Sequence, residues 1–309
     1  MMSNLTNQFA KGAVTSERVV PPAGVAQVES VLSKWFQAMQ LVSGDARRLR
    51  FTARGGSAGI PVCLEVLHPA IANDARQREL FSLEAYSAAK LSHVNIARTS
   101  KPQELNGIHF RVVEYKAEAR SLRDVLSRKG WLALDEACDI ADQISSALDS
   151  AHAMGVLHLQ LSPDCVWVEP TGWVTVAGFG IDAAPQLAWA HGERARQLAA
   201  TYASIEQAGG GVCTARSDLY SLGAMLYEMM TDRVPFDSDD MDYVRERQLQ
   251  FVPAPPHLIS LDVPEAVSNI VMRLLEREPQ NRFGSAAEFQ VALDAARGGK
   301  RNETTDEHR

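Results

Sequence analysis

The sequence predicts an α+β protein in which a small β-rich lobe precedes a larger helical lobe. Two β-prone runs flank a glycine-rich turn at residues 55–59, and a third run follows at 109–115. From Ser121 onward the apolar residues recur at helical spacing. We therefore divide the chain into an N-terminal extension (1–37), a small lobe (38–115), a large lobe (116–297) and a disordered tail (298–309). A cleft between two such lobes is a common ligand site.

Composition excludes several classes of protein. The 309 residues are 46% hydrophobic and carry a net charge of -7, from 31 basic and 38 acidic side chains. Nucleic-acid binding is not expected, because it depends on clustered positive charge. No apolar run reaches the roughly 18 residues of a membrane span, and no secretory signal is visible. Four widely spaced cysteines without a CxxC pair predict a reduced, cytoplasmic setting and no thiolate zinc site.

The elements of the small lobe follow from periodicity and turn residues. In chain order we expect a short helix near 28–39, a hairpin of 49–53 with 61–67, a helix over 74–91 that buries Phe81, Ala85, Ala88 and Leu91, and a hairpin leading into 109–115 after Asn106-Gly107.

The large lobe is predicted in the same way, with side-chain caps marking the helix starts. We expect Asp135 to cap a helix with Ile140, Ile144 and Leu148 on one face, short strands around 158–168 and 173–176, an apolar helix over 219–230 opened by Ser217-Asp218, and a capping box of Ser285 with Glu288.

Five stretches, in their order and spacing, are similar to the bacterial eukaryotic-like (Hanks-type) Ser/Thr protein kinases over residues 40–297. They are Arg216–Gly223 with Pro235-Phe236, Leu91–Ala97, Ala151–His158, Tyr202–Gln207 and Arg282–Ala286. The resemblance implies a protein-kinase-like bilobal fold with one regulatory helix in the small lobe.

The resemblance also shows which catalytic positions are replaced. In the small lobe, Glu65 stands in place of the strand lysine, Glu84 is retained as its helix partner, and only Gly44 remains of the phosphate loop near 41–46. In the catalytic loop, Gln160 replaces the aspartate, Ser162 replaces the lysine that follows it, and Cys165 replaces the metal-binding asparagine. The Asp-Phe-Gly motif reads Gly178-Phe179-Gly180. The candidate cleft lining is Gly44, Cys63, Glu65, Glu84, Val113, Glu114 and Gly178.

These replacements predict impaired chemistry. Gln160 cannot accept a proton as an aspartate does, a role worth typically 10²–10⁴-fold in rate. Cys165 and Gly178 remove both oxygen ligands of the kind that Mg²⁺ prefers. Glu65 puts an anion where phosphates would sit. We therefore expect weak or absent Mg·ATP binding, no cofactor and no metal.

Glu65 and Glu84 would repel each other by about 4 kcal/mol if 4 Å apart at an effective dielectric near 20. Three arrangements avoid this cost: the side chains point apart, they share a proton, or a cation such as Arg47, Arg48 or Arg50 lies between them. If the two carboxylates face each other, Glu65→Lys should stabilise the fold.

Other family positions divide into lost and kept. The lost positions are the loop arginine, replaced by Leu159, a phosphorylatable threonine, replaced by Ala199, and a proline, replaced by Ile205. The positions that remain are the apolar spine (His158, Phe179, Ala88), the loop-anchoring Asp218 and the ion pair of Glu206 with Arg282. We interpret His158 as a packed imidazole, and Cys63 and Cys165 as small hydrophobic residues.

The main functional prediction is a pseudokinase that acts as a scaffold or allosteric regulator by binding protein partners, such as an active kinase or its substrate. One alternative is a residual or atypical Ser/Thr kinase that uses Asp164 or Asp182, or a transferase with inverted nucleotide geometry. Another is a sensor that binds a nucleotide without turnover.

Overall fold

The computed structural model describes residues 24–44, 47–179, 201–237 and 241–298, in two lobes. The small lobe holds a five-stranded antiparallel sheet of order β1-β2-β3-β5-β4, and the large lobe a three-stranded sheet of order β6-β7-β8. The strands are β1 Phe36–Gly44, β2 Arg48–Gly55, β3 Ile60–Leu67, β4 Gln103–Leu105, β5 Ile108–Glu114, β6 Arg120–Ser121, β7 Val166–Val168 and β8 Val174–Val176.

The large lobe packs its helices around the helix Ala215–Thr231 (α6), which is buried along almost its whole length. This confirms the interpretation of the apolar run 219–230 as a helix covered on all sides. The helices of the described residues are α1 Val25–Leu32, α2 Ala75–Ala89, α3 Leu122–Lys129, α4 Leu134–Ala153, α5 Ile205–Ala208, α6 Ala215–Thr231, α7 Met241–Gln250, α8 Glu265–Leu274 and α9 Ala286–Ala296.

The predicted β2–β3 hairpin, the α2 helix and the β4–β5 hairpin are confirmed. Asp74 caps α2 by accepting a hydrogen bond from the Arg76 amide. The register of the sheet places Arg50 on β2 and Arg111 on β5 directly opposite Glu65 on β3. Directly opposed residues share a face of the sheet, so these three charged side chains meet.

The helix expected near 28–39 is wrong in its last part. Helix α1 ends at Leu32, and after a short turn Phe36 begins β1. Residues such as Ala and Met favour helices, but pairing with β2 overrides that preference here. A bulge accommodates the change of register, with Ala38 in a left-handed conformation at φ 50. Strand β1 also takes up Leu41–Gly44, four of the six residues expected in the phosphate loop.

Helix α1 lies within the predicted extension, yet it contributes Val28 and Leu32 to the same buried cluster as Leu49 and Phe51 of β2. The division at residue 37 stays a prediction. Residues 1–23 of the extension and 299–309 of the tail lie outside the described residues.

Two predicted helix starts in the large lobe are wrong. Helix α4 begins at Leu134 after Ala133, and Asp135 lies in its first turn, where a carboxylate interacts favourably with the helix dipole without capping. The long apolar helix begins earlier than expected, because Thr214 caps it in a capping box with Ser217.

A third start, that of α9, is correct only in part. Ser285 caps it by accepting from the Glu288 amide, but the Glu288 carboxylate accepts from the Gly284 amide instead of closing a box on Ser285. In the stretch expected to be strand around 158–168, only Val166–Val168 is a strand.

Among the described residues, no helix combines the length and the apolar character that crossing a bilayer requires. All four cysteines are free thiols.

Candidate functional site

The centre of the site is a cluster of charges on the face of the small-lobe sheet that carries Glu65. Glu65 is 6% exposed. Its Oε2 lies 2.5 Å from Nη2 and 2.6 Å from Nε of Arg111, and its Oε1 lies 3.1 Å from Nε of Arg50. The carboxylate that replaces a lysine by the family resemblance is therefore held by arginines from both neighbouring strands.

Arg48 connects this cluster to helix α2. Its Nη1 lies 3.8 Å from Oε2 of Glu65, and its Nη2 donates to the buried carboxylate of Glu84. The guanidinium also lies 5.8 Å from the centroid of the Phe81 ring. Of the three arrangements considered from the sequence, the structure adopts the third, in which a cation lies between the two glutamates.

The arginines fix the charge state of Glu65. Burial by itself raises the pKa of a carboxyl group, but the charges of Arg111, Arg50 and Arg48 outweigh burial and hold the pKa of Glu65 well below its usual range. In turn, the negative charge of Glu65 raises the pKa of Arg50, even though burial opposes this. The cluster is thus ionised at neutral pH, and each of its three arginines pairs with a carboxylate, while Nη1 of Arg111 has no hydrogen-bond partner among the described residues.

The other cleft candidates on this sheet are the half-buried Cys63 and Glu114, the buried Val113 and the exposed Gly44. Cys63 on β3 pairs with the buried Val113 on β5, and burial raises the pKa of the Cys63 thiol to about 12. Glu114 ends β5 and accepts from Lys116 at 3.2 Å. Gly44 is exposed at the end of β1. Of these residues, Cys63 lies near enough to the Glu65 cluster to feel the charges of Glu65, Arg50 and Arg111.

In the large lobe, both ring nitrogens of His158, in the loop after α4, are hydrogen-bonded to the backbone. Nε2 of His158 donates to the carbonyl oxygen of Ala177 at 2.9 Å, and its Nδ1 accepts from the Gln160 amide at 3.3 Å. Burial lowers the pKa of His158, so the imidazole is neutral near pH 7. Its ring centroid lies 4.7 Å from that of Phe179. His158 is a packed imidazole, as the sequence suggested.

Cys165 lies at the end of this loop, where it donates from Sγ to the carbonyl oxygen of Gln160 at 3.3 Å and lies 3.8 Å from the Ser162 hydroxyl. Burial raises the pKa of this thiol. Gly178 has φ 92, and a Cβ added there would lie 3.7 Å from the Cys165 sulfur. Cys165 and Gly178 are therefore neighbours, and neither offers a carboxylate.

The two aspartates considered as displaced ligands have different outcomes. Asp164 is exposed and faces α3, with its Oδ2 3.6 Å from Nε of Arg123. Asp182 lies outside the described residues, as do Gly180 and Ala199.

The donor atoms at the positions assigned by resemblance do not suit Mg²⁺. Gln160 offers an amide, Ser162 a hydroxyl and Cys165 a protonated thiol, whereas Mg²⁺ in proteins is bound through carboxylates, water and phosphate oxygens. On the small-lobe side, the Glu65 carboxylate is already saturated by guanidinium groups. The loop positions Gln160, Ser162 and Cys165 thus supply no carboxylate for a magnesium ion.

The anchoring contacts of the fold are intact. Asp218 on α6 accepts from the amides of His158 and Leu159 at 2.8 and 2.7 Å, which holds Leu159 in a left-handed conformation at φ 58. Glu206 and Arg282 form a two-pronged pair at 2.8 and 3.0 Å. Although burial opposes it, the Arg282 contacts lower the pKa of Glu206. The predicted ion pair and loop anchor are confirmed.

Arg111 is the site residue that sequence reasoning missed. It is 2% exposed and contacts Glu65 more closely than the other arginines do. The available signal was an arginine that alternates with Val113 on one face of a predicted strand, the face expected to be apolar.

Comparison with known proteins supports the architecture. The family profile described as "Protein kinase domain" matches residues 61–292. The serine/threonine-protein kinase PrkC of Bacillus subtilis is 30% identical over 280 residues, which cover 86% of this chain and 43% of PrkC. The serine/threonine-protein kinase pkn3 of Myxococcus xanthus is 34% identical over 261 residues, covering 79% of this chain and 47% of pkn3.

A solved structure of the Mycobacterium tuberculosis PknI kinase domain superimposes with a TM-score of 0.63 at 24% identity, covering 84% of this chain and 96% of that one. That likeness establishes the bilobal kinase fold. The chain spans about two fifths of the length of curated relatives such as PrkC. With a family profile that covers most of its length, the chain belongs to the protein kinase family, among relatives that are bacterial serine/threonine kinases.

Proposed function

We propose that this chain is a pseudokinase, a kinase-fold domain that acts by binding a protein partner and does not transfer phosphate from Mg·ATP. One observation carries the proposal: Arg48, Arg50 and Arg111 form ion pairs with Glu65, which by the family resemblance takes the place of the phosphate-binding lysine. Arg48 replaces the missing lysine only as the electrostatic partner of Glu84.

The electrostatics favour this proposal over ordinary catalysis. A phosphate that approached the cluster would have to compete with Glu65 for guanidinium groups that already pair with it. Breaking a buried pair costs about 3–5 kcal/mol, so the competition is unfavourable for Arg48 and Arg111. Arg50, whose side chain is 47% exposed, is the cation most accessible to an anion. The loop residues Gln160 and Cys165 supply neither a base nor a metal ligand.

The retained contacts support a role in which shape matters more than chemistry. The Asp218 anchor and the Glu206–Arg282 pair stabilise the large lobe, and the Arg48–Glu84 contact fixes α2 against the sheet. A rigid kinase fold can present a surface to an active kinase or to its substrate. Free thiols agree with the cytoplasmic location that we propose for this chain.

A second candidate, a residual Ser/Thr kinase, is favoured by the relatives. PrkC and pkn3 are named serine/threonine-protein kinases and match this chain over 86% and 79% of its length. This candidate requires an acid outside the replaced positions. Among the described acidic residues, Asp164 is nearest in sequence to the replaced loop positions, and its carboxylate lies 3.6 Å from Arg123.

Thermal denaturation with ATP separates the candidates, because a ligand that binds only the folded state raises the melting temperature by mass action. The pseudokinase proposal predicts no shift with ATP, either in EDTA or with Mg²⁺ or Mn²⁺. A metal-dependent shift favours the residual kinase, and a shift that persists in EDTA favours the nucleotide sensor. Asp164→Asn is the matched variant, since it should remove a shift only if Asp164 serves the metal.

A further inference from the structure

A pocket of about 290 Å³ lies in the large lobe, away from every cleft candidate named above. Its wall is formed by α5, α6, α7, α8 and the segments that follow α7 and α8. The lining residues Tyr220 and Leu275 are buried, while Phe251 and Val252, which we call the rim of the pocket, are 46% and 71% exposed. A volume near the lower end of the roughly 300–1,000 Å³ typical of ligand pockets suits one large side chain better than a nucleotide.

The pocket contains an unsatisfied acceptor. Gln248 is 2% exposed, and its Nε2 donates to the carbonyl oxygen of Ala203 at 3.2 Å. This bond fixes the orientation of the amide, because a flipped amide would put two oxygens together. Oε1 of Gln248 is buried and has no hydrogen-bond partner within the part of the chain that the structure describes. Such a carbonyl is costly to leave unpaired, so it favours a ligand that donates.

A second polar group lines the same pocket. Nε of Arg277 is buried and likewise lacks a hydrogen-bond partner among residues 24–44, 47–179, 201–237 and 241–298. An N–H group in this position requires an acceptor. The residues that line the pocket are thus both apolar and polar, and they include one group that needs a donor and one that needs an acceptor.

The rim points to a protein as the source of the ligand. Phe251 and Val252 are adjacent, exposed and apolar, and the guanidinium of Arg247 lies 4.2 Å from the centroid of the Phe251 ring and holds it in place. Exposed apolar residues next to a pocket mark protein interaction sites more often than isolated ones do. The energy of such interfaces is concentrated in a few side chains buried in pockets, with Tyr, Trp and Arg enriched.

We propose that this pocket receives a tyrosine side chain from a protein partner. A phenol ring fills the apolar part of the pocket, and its hydroxyl supplies both a donor for Gln248 and an acceptor for Arg277. An indole N–H supplies a donor only, and phenylalanine supplies neither. The inference rests on the protein-binding role proposed above for the nature of the ligand, but its site is separate from the cleft.

The test uses the full chain labelled with ¹³C in its methionine methyl groups. Met272 lines the pocket, and its signal is assigned by comparison with Met272→Leu. The probes are the N-acetyl amides of tyrosine, phenylalanine and tryptophan. We expect the tyrosine probe to shift the Met272 signal saturably with a Kd of about 1 mM. The phenylalanine probe, which lacks the hydroxyl, should bind about tenfold more weakly.

Gln248→Leu should narrow the difference in affinity between the tyrosine and phenylalanine probes, since it removes one of the two groups that the hydroxyl serves. If that variant does not fold, Phe251→Ala provides the second test and should weaken the tyrosine probe. Leu261→Ala is the control, because Leu261 is fully exposed at 100% and does not line the pocket.

The proposal is overturned if no probe shifts Met272 saturably, if phenylalanine binds as well as tyrosine, or if tryptophan binds best. These outcomes are independent of the cleft. If the chain transfers phosphate, the proposed function is contradicted but the Met272 result is unaffected. If no probe binds the pocket, the pocket proposal is contradicted but the proposed function is unaffected.

Discussion

Replacing Glu65 with lysine tests the charge cluster in the direction opposite to the expectation drawn from the sequence. With Glu84 as the only neighbour, Glu65→Lys would turn repulsion into attraction. In the structure, Glu65 lies 2.5, 3.1 and 3.8 Å from nitrogens of Arg111, Arg50 and Arg48, so the lysine would add a fourth cation to three. Removing one partner of a buried pair costs about 3–5 kcal/mol, and Glu65→Lys should cost at least that.

The assay is thermal denaturation at pH 7, with urea denaturation as a second probe. A loss of 3–5 kcal/mol lowers the melting temperature by about 6–10 °C in a chain of this size. Glu136→Lys is the matched control, because this substitution makes the same change of charge in an exposed ion pair with Lys129. It should lower the free energy of unfolding by at most about 1 kcal/mol. A Glu65→Lys protein as stable as the parent would refute the three-arginine arrangement.

Further predictions concern the same ionic contacts and one close helix packing. In the folded chain, Glu65 and Glu206 have pKa values below the ordinary 4.5. As the pH falls, these two carboxylates therefore take up protons in the unfolded chain before they do so in the folded chain, and the free energy of unfolding should decrease below about pH 4.5. Glu65→Gln should flatten this dependence in melting curves between pH 7 and 3, and an unchanged slope would contradict the shift. Arg282→Met should leave Glu206 unpaired and cost about 3–5 kcal/mol in urea denaturation; a loss below about 1 kcal/mol would count against the pair. Gly223→Ala would place a Cβ 2.5 Å from Cβ of Leu274, so it should lower stability by about 1–3 kcal/mol, and an unaltered melting temperature would disprove that close contact.

Local signals were sufficient for the parts of the fold that are set locally. The glycine-rich turn at 55–59 fixes the β2–β3 hairpin, and its register alone places Arg50 opposite Glu65. Strand β1 could not be recognised in the same way, because Phe36–Gly44 contains residues that favour a helix and becomes a strand only by pairing with β2. The start of α6 was missed because Thr214, not Ser217, carries the cap.

Family spacing assigned Glu65, Gln160, Cys165 and Gly178 to replaced catalytic positions, and this assignment stays a prediction. The role of Arg111 depends on a cross-strand pairing between residues 46 apart in the chain, which no local pattern specifies. The pocket beside Gln248 likewise arises from four helices and the segments after them, which meet only in three dimensions.

Transfer of radiolabelled phosphate from ATP tests the central claim most directly. The chain is incubated with Mg²⁺ or Mn²⁺, alone and with a generic protein substrate, beside Asp164→Asn as the cleft variant. We predict no incorporation above that of heat-denatured protein in any of these mixtures, because the cations of the cleft are bound to carboxylates and the loop offers no base. Incorporation by the parent chain that Asp164→Asn abolishes would contradict this account.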